Sequence, residues 1–292
     1  MQSQTRGGTS SQGDLLPFEL INPEGDSGFL VLCDHASNAL PPGYGTLGLS
    51  PAEFERHIAY DIGAAGVARG LSAALDCPAV LARFSRLLID LNRGPDDPTL
   101  VMKLSDGAIV QGNREVDPFQ NRAEFEHRLA QFYRPYHSAI EAVLARTADT
   151  VPAIISIHSF TPHWRGRTRP WHAGILWDMD DRLPAELLRL MRLEPGLVVG
   201  DNEPYSGRLK GDCLYRHGTA RGLPHVLIEI RQDLIVEAAG QSEWAARIAQ
   251  WLREAEALPG LREVRHYGSH ADMPRNTQDE EMRYGQEHTD RA

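Results

Sequence analysis

Residues 225–233, HVLIEIRQD, set one carboxylate, Glu229, inside an otherwise apolar run. A run this short, rich in Leu and β-branched residues and flanked by turn formers, suits a strand buried on both faces. Four further runs have the same character: residues 28–33 (GFLVLC), 87–91 (LLIDL), 153–157 (AIISI) and 173–177 (AGILW), with 78–84 as a candidate sixth. Between them lie amphipathic stretches at 50–75, 122–147, 181–193 and 236–257. Ser50-Pro51 supplies an N-cap and a proline at the first helical position. Apolar residues at 244, 245, 248, 251 and 252 fall on one helical face. Strands alternating with helices predict an α/β sheet covered on both sides.

The length of 292 residues and the absence of a Gly/Ser linker favour one body. Residues 1–14 and 268–292 are polar and poor in large apolar side chains, so both are expected to be tails, leaving 15–267 as a single α/β domain. Thirty Lys+Arg against 40 Asp+Glu give a net charge of −10, which repels phosphate and argues against nucleic acid and anionic membranes as partners. Three scattered cysteines, Cys33, Cys77 and Cys213, suit a reducing, cytoplasmic compartment. The opening MQSQTRGGTSSQGD has no apolar core of a secretory signal, and no apolar run reaches the ~18 residues of a membrane span. Oligomeric state is left open.

In such sheets the polar residues just past strand C-termini form the site. His35 follows GFLVLC, His158 follows AIISI, Asn92-Arg93 close LLIDLNR, and Glu229 lies in the last run. Each has an ordinary explanation: a hydrogen-bonded strand-end histidine, a Glu229–Arg231 ion pair, an Asp90–Arg93 ion pair. Together they match a chemistry. Two histidines and a carboxylate make a Zn²⁺ site with an open position for water. A separate Glu is the base that water needs, and an Arg fixes a substrate carboxylate.

The segments Asp34-His35-Ala36-Ser37-Asn38, His57-Ile58-Ala59-Tyr60-Asp61, SRLLIDLNR at 85–93, Ile157-His158-Ser159-Phe160 and His217-Gly218 with Glu229 resemble the N-formylglutamate amidohydrolase family over most of residues 17–255. The resemblance implies a three-layer α/β/α fold, phosphorylase/hydrolase-like as in zinc carboxypeptidases and aspartoacylases. Its sheet is expected to be mixed, mostly parallel, with helices on both faces. It also implies one Zn²⁺ per chain, held by His35, His158 and a third ligand. The carboxypeptidase pattern is His-x-x-Glu, but position 38 is Asn. Asp61 is therefore the expected third ligand, with Asn38 and His57 as alternatives. Asp34 is expected to orient His35.

The implied roles continue with Glu229 as the general base and Asn92, Arg93, Arg86, Asn202 and His217 as substrate contacts. Asn202 lies in a turn, 201–207, expected at the pocket rim. The basic run WRGRTR at 164–169 is expected to be a solvated loop. The implied activity is zinc-dependent hydrolysis of a small anionic N-formyl or N-acyl amino acid, N-formylglutamate-like, to formate and a free amine. A zinc carboxypeptidase-like peptidase and a metal-free binding protein on the same fold are the alternatives.

Overall fold

The computed structural model describes residues 16–146 and 150–273. The elements run β1 (Phe18–Ile21), β2 (Phe29–Cys33), α1 (Ala64–Leu75), β3 (Ala79–Ala82), β4 (Leu104–Ser105), β5 (Ala108–Ile109), α2 (Arg122–Arg128), α3 (Arg134–Arg146), β6 (Ala153–Phe160), β7 (His163–Trp164), β8 (Arg167–Thr168), β9 (Ala173–Leu176), α4 (Pro184–Arg192), β10 (Val199–Asp201), α5 (Cys213–His217), β11 (His225–Arg231) and α6 (Ala238–Ala255).

Seven strands form one sheet in the order β1-β3-β2-β6-β11-β9-β10. The centre, β3-β2-β6-β11, is parallel. β9 joins β11 antiparallel, and β1 joins β3 antiparallel, so the sheet is mixed and mostly parallel. Alternate residues of each central strand face opposite layers. Val31, Leu81, Ile155 and Ile228 pack with α1, α4 and α6, whereas Leu30, Leu32, Val80 and Ile154 pack with α3. Both faces are dry, which is why these strands read as unbroken apolar runs. The expected three-layer α/β/α architecture is the one observed. Among the described residues no helix is long and apolar enough to cross a membrane.

Three local expectations change. Residues 87–91 are not a strand. Leu87, Leu88, Ile89 and Leu91 are buried, but their backbone is bonded largely by side chains: Asn113 Nδ2 donates to Leu87 O, Arg128 Nη1 to Leu88 O, and Leu87 N to Ser85 Oγ. Those partners replace a neighbouring strand. Residues 50–75 are not one helix. A 3₁₀ turn at Pro51–Glu55 gives way to irregular chain, and α1 starts only after Gly63, whose φ is +82°. The stretch 122–147 is broken between α2 and α3 by a π-turn, Leu129–Tyr133.

The segment 268–273 is docked on the body: Ser269 Oγ and His270 N donate to Asp178, and Tyr215 OH bonds Asp272. The expected tails at 1–14 and beyond 273 lie outside the described residues.

Helices α3 and α5 meet through His137 and His217, whose Nδ1 and Nε2 are 2.9 Å apart. Burial pushes each imidazole down to about 3, with the positive charge of Arg216 acting in the same direction. Both rings are neutral in the fold and take protons near 6.5 when unfolded. Their contribution is therefore complete above pH 6.5 and is lost as pH falls toward 3. At pH 5 each ring should cost about 2 kcal/mol of stability. Urea unfolding between pH 7.5 and 5 should show this loss, and His217→Phe should flatten it. An identical slope in the two proteins would contradict the assignment.

Candidate active site

The site forms past the C-terminal end of β2 and along the α3-facing side of β6 and β11. β2 ends at Cys33, and Asp34 and His35 follow into a turn. The His35 carbonyl accepts from Asp61 N at 2.9 Å, which brings the irregular 56–63 chain onto the strand end. Gly63 is needed for this approach, because a Cβ there would lie 2.2 Å from Ile235 O. On β6, Ser156 and His158 point to the same side. Glu229 on β11 is the direct register partner of His158.

The two histidines are held alike. His35 Nε2 lies 2.7 Å from Asp90 Oδ1, and its Nδ1 lies 3.4 Å from Asp61 Oδ2 without a hydrogen-bond partner. His158 Nδ1 lies 2.8 Å from that same Asp61 Oδ2. Its Nε2 meets Ser156 Oγ at 3.0 Å and Asp34 Oδ2 at 3.4 Å. Thus each ring is fixed by a buried carboxylate on one nitrogen and turns the other toward Asp61. Asp34 orients His158, and not His35 as expected; Asp90 does that for His35. Tyr136 OH donates to Asp34 at 2.6 Å, and Cys213 Sγ at 3.1 Å.

Asp34, Asp61 and Asp90 are buried, and one mostly buried guanidinium, Arg86, lies 3.7 Å from Asp61 and donates through Nε and Nη2 to Asp90 Oδ2. Burial alone would raise Asp34, but the hydrogen bond and charge of His158, with His35 and Tyr136, bring it down to about 2. Burial also works against ionised Asp61 and Asp90, yet His35, His158 and Arg86 hold both below the usual carboxylate range. Desolvation would lower His158, but hydrogen bonds to Asp34 and Asp61 push it up to about 10. A divalent cation at Asp61 would take the place of the proton that Asp34 and Asp61 hold on His158.

The ligand atoms of His35, Asp61 and His158 lie within 4.8 Å of one another, and the N/N/O donor set suits zinc. The unpartnered His35 Nδ1 fits such an ion, and the carboxylates behind both rings fix the tautomers that would bind it. Neither alternative ligand belongs to this trio. Asn38 Nδ2 donates to Phe54 O, and His57 stands 3.5 Å from Asp106. A second group, His137, Cys213 and His217, is tied together by the His137–His217 bond, and its thiol bonds Asp34. Burial pushes the Cys33 and Cys213 thiols well above their ordinary range, so neither is a thiolate nucleophile.

These residues open into a cavity of about 430 Å³. Its wall includes Arg86, Asn92, Arg93, Tyr205, Asp212 and Glu229. Glu229 is not paired with Arg231, which bonds Asp233 instead. Burial, joined by the charge of Asp61, raises the Glu229 carboxyl to about 7 against His158, His35 and Arg86, and its Oε2 has no hydrogen-bond partner. Arg93 uses Nη1 on Asn92 O, and Asn92 Oδ1 accepts from Cys213 N. Arg93 has no carboxylate partner among the described residues.

A family model described as N-formylglutamate amidohydrolase matches residues 27–236. The chain belongs to this family. It is 27% identical over 198 residues to the N-formylglutamate deformylase of Pseudomonas putida, covering 63% of this chain and 72% of that protein. The crystal structure of a gene product of Agrobacterium tumefaciens superposes with a TM-score of 0.78 at 35% identity, covering 82% of this chain and 95% of the other. That of N-formylglutamate amidohydrolase from Ralstonia eutropha gives a TM-score of 0.56 at 22% identity, over 82% and 99%, and shares the fold. Membership places the chain among amidohydrolases.

Of the expected site residues, His35, Asp61, Arg86, Asn92, Arg93, His158 and Glu229 meet at this one cavity. Two are not brought to it. Asn202 Oδ1 accepts from Trp177 N and Gly207 N, so this side chain pins its own loop. His217 is wholly buried against His137. The 201–207 turn does reach the rim, through Tyr205, Ser206 and Gly207, although Asn202 was the residue expected there; Asp212 was missed, since a helix-capping Asp carries no pattern that marks it. Arg169 is not solvated as expected. It is buried against the Phe160, Trp164 and Tyr205 rings and donates to Tyr205 OH at 3.1 Å.

The loop that carries Tyr205 lies over β9 because residue 174, the register partner of Glu229, has no side chain. A Cβ there would sit 1.9 Å from Glu203 O. Gly174→Ala should destabilise the protein by ~1–3 kcal/mol through overpacking. Urea unfolding checks this, and an unchanged midpoint would contradict the close approach.

Proposed function

We propose that this chain is a zinc-dependent amidohydrolase that removes the acyl group, formyl foremost, from a small N-acyl amino acid, releasing formate and a free amine. The observation that carries the reading is the pair of histidines fixed from behind by Asp90 and Asp34 and turned toward Asp61, beside a buried Glu229 with a free carboxylate oxygen. A cavity of about 430 Å³ suits one amino-acid derivative better than a polypeptide, which favours this reading over a peptidase.

His35, Asp61 and His158 would hold the metal, which when bound supplies Lewis-acid polarisation of the amide carbonyl and of water. Glu229, buried and without a cation bonded to it, takes the proton of the attacking water and delivers it to the leaving nitrogen. Arg93 binds the substrate carboxylate, since its guanidinium reaches the cavity without an acidic partner. Arg86 holds Asp90, and through it the orientation of His35. Asp34 does the same for His158 and is itself steadied by Tyr136 and Cys213.

Glu229→Gln keeps the shape and removes the base. It should leave zinc content and melting temperature close to wild type while lowering kcat for formate release by at least ~100-fold. Retained kcat with a lowered melting temperature would make Glu229 a structural residue. Arg93→Lys keeps the charge and loses the planar fork, so KM for a free-carboxylate substrate should rise at least ~10-fold. Equal turnover of a substrate and its carboxyl ester by the wild type would remove this role from Arg93.

A further inference from the structure

The cavity wall contains few uncommitted cations. Arg86 is bonded twice to Asp90 and stands 3.7 Å from Asp61. His57 faces Asp106, and burial lowers its imidazole. Arg93 alone is left to take a carboxylate. Three acids, Asp61, Asp212 and Glu229, share the wall. Arg169 is not among the lining residues; it lies behind Tyr205 and Thr161, with Nη1 donating to both hydroxyls.

The rest of the wall carries the hydroxyls of Ser159, Thr161 and Ser206 and a cluster of leucines. Leu227 is two residues before Glu229 on the same face of β11, and its register partner on β9 is Leu176. Leu214 on α5 joins them in one buried cluster, with Phe160, Tyr205 and Leu209 also on the wall. A second substrate carboxylate placed against these leucines would lose water with no arginine lining that face, since Arg169 stands behind Tyr205 and Thr161, and with Asp212 on the same wall. Apolar carbon would be favoured at the same place.

Resting on the amidohydrolase reading above, we propose that the amino acid released by this site carries an apolar side chain, of the leucine, methionine or phenylalanine kind, and not a second carboxylate. Arg93 takes the single α-carboxylate. The side chain enters the Leu176–Leu214–Leu227 floor beneath Leu209 and Tyr205.

Formate release by the full-length protein is measured with N-formyl-L-leucine and N-formyl-L-glutamate, and binding of each to Glu229→Gln by calorimetry. The leucine compound should have the higher kcat/KM by at least ~10-fold, and it should bind the variant more tightly by a similar factor. Leu209 is 44% exposed, so Leu209→Arg should fold and bring a cation to the wall. It should lower the leucine-to-glutamate ratio at least ~10-fold. Equal or better turnover and binding of the glutamate compound overturns this inference and leaves the amidohydrolase reading intact, as does a ratio unmoved by Leu209→Arg. No formate from either compound overturns the amidohydrolase reading; tighter binding of the leucine compound to Glu229→Gln would still support the apolar subsite.

Discussion

Asp61 Oδ2 stands between two imidazoles, 2.8 Å from His158 Nδ1 and 3.4 Å from His35 Nδ1, and the chain around it is arranged to make that convergence possible. His158 comes from the sheet centre and His35 from the turn after the adjacent strand. Asp61 arrives on an irregular segment bonded to the His35 carbonyl. The far nitrogen of each ring is fixed by a carboxylate from the opposite direction: Asp90 from the chain that crosses the sheet end, Asp34 from the end of β2. Charges this deeply buried are costly unless paired. Here Arg86 pairs with Asp90, and His158 lies between Asp34 and Asp61.

Glu229 gains its character from the same placement. It is next to His158 across parallel strands, yet the nearest arginine on its own strand, Arg231, is turned to Asp233. A carboxyl left in this state is raised toward neutrality by desolvation. The absence of a side chain at Gly174 lets the Glu203–Tyr205 chain close over the site beside it. Two residues before Glu229 on the same strand face, Leu227 and its register partner Leu176 give the cavity a buried apolar floor.

Much of this was legible in the sequence. GFLVLC and AIISI are dry on both faces, so a histidine at the end of each stands out, and a carboxylate within HVLIEI stands out further. The three layers and the mostly parallel sheet follow the alternation of elements and the family resemblance. What local pattern could not give is the choice of partner. Asp34 and Asp90 both lie next to candidate residues, but which histidine each one holds is decided by tertiary placement. LLIDL reads as a strand because burial and apolarity are the same in a strand and in a loop bonded by Asn113 and Arg128. His57 and Asp61 share no helix face because Gly63, with its left-handed backbone, starts α1 after them. Asn202 and His217 are polar residues with structural duties that only their bonding partners disclose.

We propose that His35, Asp61 and His158 hold one divalent metal through atoms already turned toward each other. Zinc titration of the chelator-stripped protein, followed by calorimetry, tests it most directly. The account predicts one tight site per chain in the wild type. His158→Ala and Asp61→Asn should lose it, whereas Asp90→Asn, which meets the trio through the far nitrogen of His35, should weaken it by ~10–100-fold. Zinc bound as tightly by His158→Ala as by the wild type would contradict the assignment.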